Sequence, residues 1–312
     1  MVERVTVVGA GLMGHGIAQL FALSGFRTRL QDVSPERLQV ALRAVEADLA
    51  LLVEEGAASH QEAEAALGRI EATPDLEAAV AGADLVVEAI PEVLAAKQEL
   101  FERLGRLAGP RAILASNTST LPITRIAERS RAAGRVVLTH FFNPAHLVPL
   151  VEVLPHPSAP PEVLEATLDL LRRIGKRPVR LRREVPGFIA NRLQAAMVRE
   201  AFHLLEQGVA DAEDIDAAVT EGPGFRWPFL GPLAIADYGG LDVWRKVLEN
   251  LAPELGQSTA APAAVVERVD RGHLGTKTDQ GIYSYRGASV PELLRARDRS
   301  LIRLARLKAR KD

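Results

Sequence analysis

A histidine and an acid stand twelve residues apart in the segment THFFNPAHLVPLVEV, residues 139–153. Histidine can accept and release a proton near neutral pH because its ordinary pKa is ~6.5. A neighbouring carboxylate could fix one tautomer of the imidazole and stabilise its protonated form. His140 and Glu152 are therefore candidates for a catalytic base and its partner. The alternatives are a structural role for His140 and a solvent-facing Glu152 on an alternating strand.

Two further polar residues stand where a substrate could bind. Ser119 in SNTSTLP follows a predicted strand, where its hydroxyl could contact a substrate oxygen or cap the following helix. Asn191 in GFIANRL lies in the first half of an otherwise apolar helix face, where its amide could contact substrate or be satisfied by the backbone. Both residues are candidates for substrate binding.

The elements that would position these residues begin with a glycine-rich turn between a predicted strand and a predicted helix. The turn comprises Gly9, Gly11, Leu12, Met13 and Gly14. A second predicted strand ends at Asp32, about 20 residues further on, where a ribose-binding acid is expected. Such glycines let backbone N–H groups approach a pyrophosphate, and the acid would repel a 2′-phosphate. The pattern predicts bound NAD rather than NADP, the alternatives being a turn without cofactor and an N-cap role for Asp32.

The rest of the chain predicts two domains. Short apolar strands at 83–90, 111–119 and 136–144 alternate with helical segments, which indicates a Rossmann-type α/β domain, a doubly wound parallel sheet, over residues 1–184. Ligands of such sheets bind beyond the carboxyl ends of the strands, so 88–92, 116–119 and 140–143 should share one rim. Residues 185–312 show only helical patterns and predict an all-helical domain whose apolar faces form a core and a subunit interface.

Composition excludes several classes of function. The net charge is -2 with both signs mixed along the chain, so neither nucleic acid nor a membrane surface is an expected partner. The absence of cysteine excludes disulfides, thiolate nucleophiles and cysteine-ligated zinc. The seven histidines show no ligand-like spacing with acids, so no metal is expected. Without a signal peptide or a long apolar run, the expected location is the cytoplasm.

Seven motifs together resemble the 3-hydroxyacyl-CoA dehydrogenase family, in the family's order across nearly the whole chain. They are GAGLMGHGIAQ, DLVVEAIPE, SNTSTLPI, HFFNPAHLVPLVEV, GFIANRL, GPLAIADYGGLDV and KTDQGIYSY. The resemblance implies NAD-dependent oxidation of an L-3-hydroxyacyl-CoA, such as 3-hydroxybutyryl-CoA, and a homodimer formed through the helical domains. It also implies that His140 is the base, that Glu152 is its partner, and that substrate contacts Ser119 and Asn191. The residues that it implies for NAD are Asp32, Glu92, Lys97, Asn143 and Lys277.

Some segments depart from the acyl-CoA members of this family. Those members often carry lysines on the first helices after the second strand, whereas RLQVALRAVEADLALLVEEG has none and is more acidic than basic. EGPGFRWPFLGPL and the ending RDRSLIRLARLK are similar to the λ-crystallin and L-gulonate 3-dehydrogenase branch, whose members act on free hydroxy acids. An L-gulonate or carnitine type of substrate is therefore the alternative, with Arg226 as a candidate carboxylate anchor. A crystallin-like NAD-binding protein without turnover is a further alternative.

Overall fold

The structure is a computed structural model that describes residues 2–309, so Met1 and residues 310–312, which the predicted domains include, lie outside it. The chain divides into two units. The first comprises the residues up to Ile189 together with those from Arg295 onward, and the second is Ala190–Leu294. The sequence predicts a division after residue 184 and assigns the whole remainder to the helical domain, whereas the structure returns the end of the chain to the first unit.

The first unit contains an eight-stranded sheet. Its strands are β1 (Arg4–Val8), β2 (Arg27–Gln31), β3 (Ile70–Thr73), β4 (Leu85–Glu88), β5 (Ile113–Ser116), β6 (Val136–Phe141), β7 (Leu150–Pro155) and β8 (Arg177–Arg180). They lie in the order β3-β2-β1-β4-β5-β6-β7-β8. All neighbouring pairs are parallel except β6 and β7, which are antiparallel. The predicted Rossmann-type fold is confirmed, with one antiparallel step near an edge that the alternation of strands and helices had not indicated.

Helices cover both faces of this sheet. They are α1 (Leu12–Leu23), α2 (Pro35–Glu54), α3 (His60–Gly68), α4 (Leu76–Val80), α5 (Leu94–Leu107), α6 (Ile123–Ile126) and α7 (Pro161–Arg173). The residues of β4, β5 and β6 are all buried, as expected for strands of a parallel sheet that is covered on both sides. One apolar core includes side chains of α1 and α7, and a second includes side chains of α5 and α6. The central strands are therefore held between two cores.

The second unit is helical, as predicted. Its helices are α8 (Ala190–Glu206), α9 (Ala212–Glu221), α10 (Pro223–Arg226), α11 (Pro232–Gly239), α12 (Leu241–Leu251) and α13 (Ala263–Asp270). In these six helices, all within the described part of the chain, no residue is fully buried. Large apolar side chains such as Leu193, Leu248 and Leu251 remain half exposed or more. The helices therefore present apolar surface that the described chain leaves open.

A last helix, α14 (Val290–Ala309), begins in the second unit, and its residues from Arg295 onward belong to the first. Its arginines bind the end of α2: Arg299 Nε lies 2.7 Å and Arg303 Nε 2.9 Å from the Glu55 carboxylate. Ile302 joins a third apolar cluster with side chains of α2 and α3. These contacts explain why the helix groups with the first unit. None of the described helices is both long and apolar enough to span a membrane.

Candidate active site

The glycine turn connects β1 to α1 and leaves space at the start of the helix. Gly9 has a φ of 104°, a left-handed conformation that glycine adopts without strain. A Cβ on Gly14 would lie 1.7 Å from the carbonyl oxygen of Gly9, so only glycine permits this approach of helix to strand. A Cβ on Gly11, the N-cap of α1, would meet nothing within 4 Å. The open space therefore lies where helix N–H groups can receive a pyrophosphate.

The Asp32 carboxylate is buried and holds this turn. Its Oδ2 accepts a hydrogen bond from Ala10 N at 2.9 Å, and its Oδ1 accepts one from Ser34 N at 3.0 Å. The N-cap of α2 is Ser34, whose hydroxyl accepts from Arg37 N, so the N-cap alternative for Asp32 is wrong. A cavity of about 680 Å³ adjoins Asp32 and is also lined by Gly9, Gly11, Leu12 and Met13. The residues present thus fit the dinucleotide that the sequence pattern predicts.

The antiparallel pairing of β6 and β7 brings the histidine and the acid together. In this register His140 stands directly opposite Glu152. His140 Nδ1 lies 2.8 Å from Glu152 Oε2, and both side chains are buried. The alternative that Glu152 points to solvent is therefore wrong. Because Nδ1 faces the carboxylate, it carries the proton in the tautomer that this contact favours, which leaves Nε2 as the proton acceptor.

The Glu152 carboxylate also fixes the end of the first unit. Its Oε1 accepts a hydrogen bond from Ile189 N at 2.8 Å. The preceding residue, Phe188, has a φ of 52°, which is uncommon for a bulky side chain, and its ring centroid lies 5.4 Å from that of His140. Asn191, three residues after Phe188, lies in the first turn of α8. Sequence reasoning did not identify Phe188 or Ile189 as parts of the site, and Gly187 in VPGF was the only local signal.

A third carboxylate, Glu92, organises the loop that carries Ser119. Glu92 Oε1 accepts hydrogen bonds from Ser119 N at 2.9 Å and from the Ser119 hydroxyl at 3.3 Å. It also accepts from Thr118 Oγ1 at 2.6 Å and from Thr120 N at 2.9 Å. Partial burial would raise the pKa of Glu92, but the Thr118 hydrogen bond and the charge of Lys97 outweigh it and lower the pKa to about 2. The N-cap of α6 is Pro122, so Ser119 does not cap that helix.

Lys97 on α5 lies beneath this loop. Its side chain is 1% exposed, and its Nζ contacts Glu88 Oε1 at 2.5 Å and Glu92 Oε2 at 3.2 Å. Glu88, the last residue of β4, is completely buried, and its Oε2 accepts from the Ser116 hydroxyl. Burial raises the pKa of the Glu88 carboxyl, although the charge of Lys97 favours its ionised form. The sequence places Glu88 on the predicted ligand rim and gives it no role.

The loops after β5 and β6 are joined to each other. Asn117 Oδ1 accepts a hydrogen bond from Phe141 N at 2.8 Å, which ties the Ser119 loop to the strand end beside His140. Asn143 follows in an exposed position, with a cis peptide bond to Pro144. The candidate residues of the first unit therefore gather at one edge of the sheet, as the rim prediction requires.

The remaining candidates belong to the second unit. Arg226 is the last residue of α10, and Lys277 lies in the turn between Gly275 and Gln280, which form a β-bridge. Asn191 is the second residue of α8.

Comparison with known proteins matches most of the chain to one family in two parts. Residues 4–185 match the family described as 3-hydroxyacyl-CoA dehydrogenase, NAD binding domain. Residues 187–285 match 3-hydroxyacyl-CoA dehydrogenase, C-terminal domain. Helix α14 therefore follows the last matched residue.

Individual relatives differ in what their names say about substrate. A probable 3-hydroxybutyryl-CoA dehydrogenase of Bacillus subtilis is 39% identical over 285 residues, covering 91% of this chain and 98% of that protein. The 5-formyl-3-hydroxy-2-methylpyridine 4-carboxylate 5-dehydrogenase of Mesorhizobium japonicum is 33% identical over 307 residues, which is 98% of each chain. A solved structure of a dehydrogenase for that pyridine carboxylic acid, described as an NAD+-dependent dismutase, has a TM-score of 0.91 at 32% identity and 98% coverage of each chain.

Proposed function

This chain belongs to the 3-hydroxyacyl-CoA dehydrogenase family and is an NAD-dependent oxidoreductase acting on a CH–OH group; from that premise we propose that it oxidises an L-3-hydroxyacyl-CoA to the 3-ketoacyl-CoA. The proposed substrate is a short-chain thioester such as 3-hydroxybutyryl-CoA, which would place the reaction in fatty acid metabolism. NAD, when bound, accepts the hydride from the carbinol carbon. The protein must bind the substrate, orient it and take up the hydroxyl proton.

The pairing of His140 with Glu152 is the observation that carries the proposed oxidation, and the similarity to the 3-hydroxybutyryl-CoA relative is what favours a thioester substrate. With Nδ1 held at 2.8 Å from the carboxylate, the imidazole keeps its Nε2 lone pair available for the substrate hydroxyl. Taking up that proton makes the imidazole cationic, and the buried Glu152 carboxylate stabilises the cation where solvent does not reach. His140 is therefore the proposed base and Glu152 its positioning partner.

The other proposed contacts follow from the same residues. Ser119 would hold the substrate oxygen, because Glu92 fixes both its N–H and its hydroxyl. Asn191 would provide a second contact to substrate. The proposed contacts to NAD are the glycine turn, Asp32, Glu92, Asn143 and Lys277. Lys97 is assigned to the cofactor through Glu92, since its ammonium group is buried between two carboxylates.

A free hydroxy acid is the second candidate substrate. Two observations favour it: the pyridine carboxylate dehydrogenase matches 98% of this chain, whereas the 3-hydroxybutyryl-CoA enzyme matches 91%, and α2 carries no lysine for the phosphates of CoA. A carboxylate on such a substrate would need a cation, and Arg226 offers a bidentate guanidinium for it. The reaction at His140 would be unchanged.

The partner of the helical unit is proposed to be a second copy of this chain. None of the residues in α8 to α13 is fully buried, and their leucines expose more apolar surface than a helical unit usually leaves in water. A homodimer would cover these faces.

The experiment that tests the substrate is NADH formation by the purified protein. L-3-Hydroxybutyryl-CoA is compared with L-gulonate, L-carnitine and free 3-hydroxybutyrate. A preference for the thioester of about a hundredfold in kcat/KM, or ~2.7 kcal/mol in transition-state binding, supports the acyl-CoA assignment. A preference of the same size for a free acid supports the second candidate and makes Arg226→Ala the next variant. If the protein oxidises none of these compounds, both candidate substrates are contradicted.

The base is tested with His140→Ala. We expect kcat to fall by about 10²–10⁴-fold, the usual contribution of a general base, while NAD binding measured by titration is retained. His60→Ala, an exposed histidine at the start of α3, is the matched control and should leave kcat unchanged. Unchanged activity in His140→Ala would exclude this residue as the base.

A further inference from the structure

The buried carboxylate of Glu88 lies at the centre of the sheet edge and has no function assigned to it so far. Glu88 ends β4, between β1 and β5, and is completely buried. Both of its oxygens are bound: Oε1 accepts from Ile90 N at 2.8 Å and from Lys97, and Oε2 accepts from the hydroxyl of Ser116. A charge in this position is costly unless it is paired, so Glu88 and Lys97 depend on each other.

Lys97 connects Glu88 to the loop that carries Ser119. Its Nζ contacts Glu88 on one side and Glu92 Oε2, at 3.2 Å, on the other. The backbone oxygen of Ile90 accepts a further hydrogen bond from it at 3.2 Å. The ammonium group is thereby fixed between the two carboxylates and cannot turn toward solvent, because its side chain is 1% exposed.

Glu92 is the member of the contacts Glu88–Lys97–Glu92 that reaches the loop. Its Oε1 gathers the donors of residues 118–120, including the N–H and the hydroxyl of Ser119. Its Oε2 faces Lys97. A change in the position of the ammonium group would therefore pull on the same carboxylate that orients the Ser119 hydroxyl.

We propose that Glu88 is a positioning residue for the reaction: its carboxylate holds Lys97 in place, Lys97 holds Glu92, and Glu92 sets the conformation of the Ser119 loop. This inference rests on the proposed role of Ser119 in substrate binding. A purely structural purpose is a poor explanation for the pair, because apolar side chains of similar volume at such sites are often as stabilising as a buried ion pair or more so.

The test begins with Glu88→Gln, which keeps the shape of the side chain and removes its charge. We expect kcat/KM to fall by about ten- to hundredfold, by analogy with the groups that hold metal ligands in place, whose loss costs that much. In a Glu92→Gln background the same change should cost less than about twofold, because the connection is already broken there. An equal loss in both backgrounds would show that Glu88 acts independently of Glu92 and would overturn the proposal.

A second measurement needs no substrate and so separates this proposal from the proposed function. Amide hydrogen exchange of residues 117–121, whose N–H groups at Ser119 and Thr120 bind Glu92, should accelerate about tenfold in Glu88→Gln, while β1 stays protected. Unchanged exchange in the loop overturns the proposal even if the protein oxidises none of the tested substrates. Glu102→Gln, on the exposed face of the same helix α5, is the matched control and should change neither measurement.

If Glu88→Gln does not fold, the double variant Glu88→Leu with Lys97→Met replaces the ion pair by apolar groups of similar size. We expect this protein to fold and to show the same loss of kcat/KM and the same faster exchange in residues 117–121. Wild-type values for both would overturn the proposal.

Discussion

Replacement of Glu152 by glutamine tests the central pair of the site most directly. The Glu152 carboxylate is completely buried, and its Oε2 lies 2.8 Å from His140 Nδ1. During the reaction His140 gains a proton, so the carboxylate faces a cation in the transition state that is absent beforehand. Glutamine keeps the volume and one hydrogen-bond acceptor but loses the charge. We therefore expect kcat to fall while NAD affinity changes little.

The magnitude follows from the separation of the two charges. Both charges are delocalised, so their centres lie further apart than the 2.8 Å between Nδ1 and Oε2. Two unit charges ~4 Å apart interact by ~4 kcal/mol at an effective dielectric constant of ~20, which suits a buried site of this kind. With ~1.4 kcal/mol for each factor of ten, complete loss of this interaction corresponds to a decrease of ~10³-fold in kcat. The acceptor that glutamine retains recovers part of it, so the expected decrease is about 10²–10³-fold.

The assay measures kcat at saturating NAD and substrate, together with NAD affinity and the thermal midpoint of unfolding. Glu152→Asp, which keeps the charge but shortens the side chain, should recover part of the activity. Glu162→Gln on the exposed first turn of α7 serves as the control for loss of a carboxylate and should behave as wild type. A folded Glu152→Gln protein whose kcat falls less than tenfold would refute the role given to this carboxylate.

Three further predictions concern the glycine turn, the cofactor and pH. Gly14→Ala should lower the free energy of unfolding by several kcal/mol, about the cost of severe overpacking, because its Cβ would meet the backbone at 1.7 Å. Gly11→Ala should keep this stability and weaken NAD binding. Thermal unfolding and NAD titration measure the two effects. Asp32→Asn should reduce the ratio of kcat/KM for NAD over NADP by about tenfold or more, in steady-state assays with each cofactor. Burial lowers the pKa of Lys176 from 10.5 to about 8, so the unfolded chain binds more protons between these values and stability rises with pH there. Lys176→Met should remove that part of the rise, up to about 3 kcal/mol, in urea unfolding at a series of pH values.

The sequence predicted the parts of the fold that local patterns encode. The strands that it identified around residues 85, 113 and 136 are wholly buried, so their apolar runs stand out. It missed β3 and β8, whose sequences IEAT and RPVR are short, polar in part and only partly buried at the sheet edges. Their pairing depends on the neighbouring strand rather than on their own pattern, which is why a local reading could not find them.

Prediction of the site had a corresponding limit. His140 and Glu152 could be named from their types and surroundings, but only the antiparallel register places them opposite each other. The contact of Ile189 N with Glu152 and the position of Glu88 between Lys97 and Ser116 depend on packing between distant segments. Such tertiary contacts leave no spacing signal in a single sequence.

The positions of the buried carboxylates argue that this edge of the sheet was shaped by chemistry rather than by stability. Asp32 follows β2, Glu88 ends β4, and Glu152 lies near the start of β7, which is antiparallel to β6 and therefore begins at the edge where the parallel strands end. All three are buried, and each has both oxygens bound by separate donors. Stability alone does not require such groups, because a buried ion pair replaced as a whole by apolar residues is often no less stable. Three buried carboxyl groups at one edge, each holding a different segment of the candidate site, are best explained by the need to fix the glycine turn, the Ser119 loop and His140 in one arrangement.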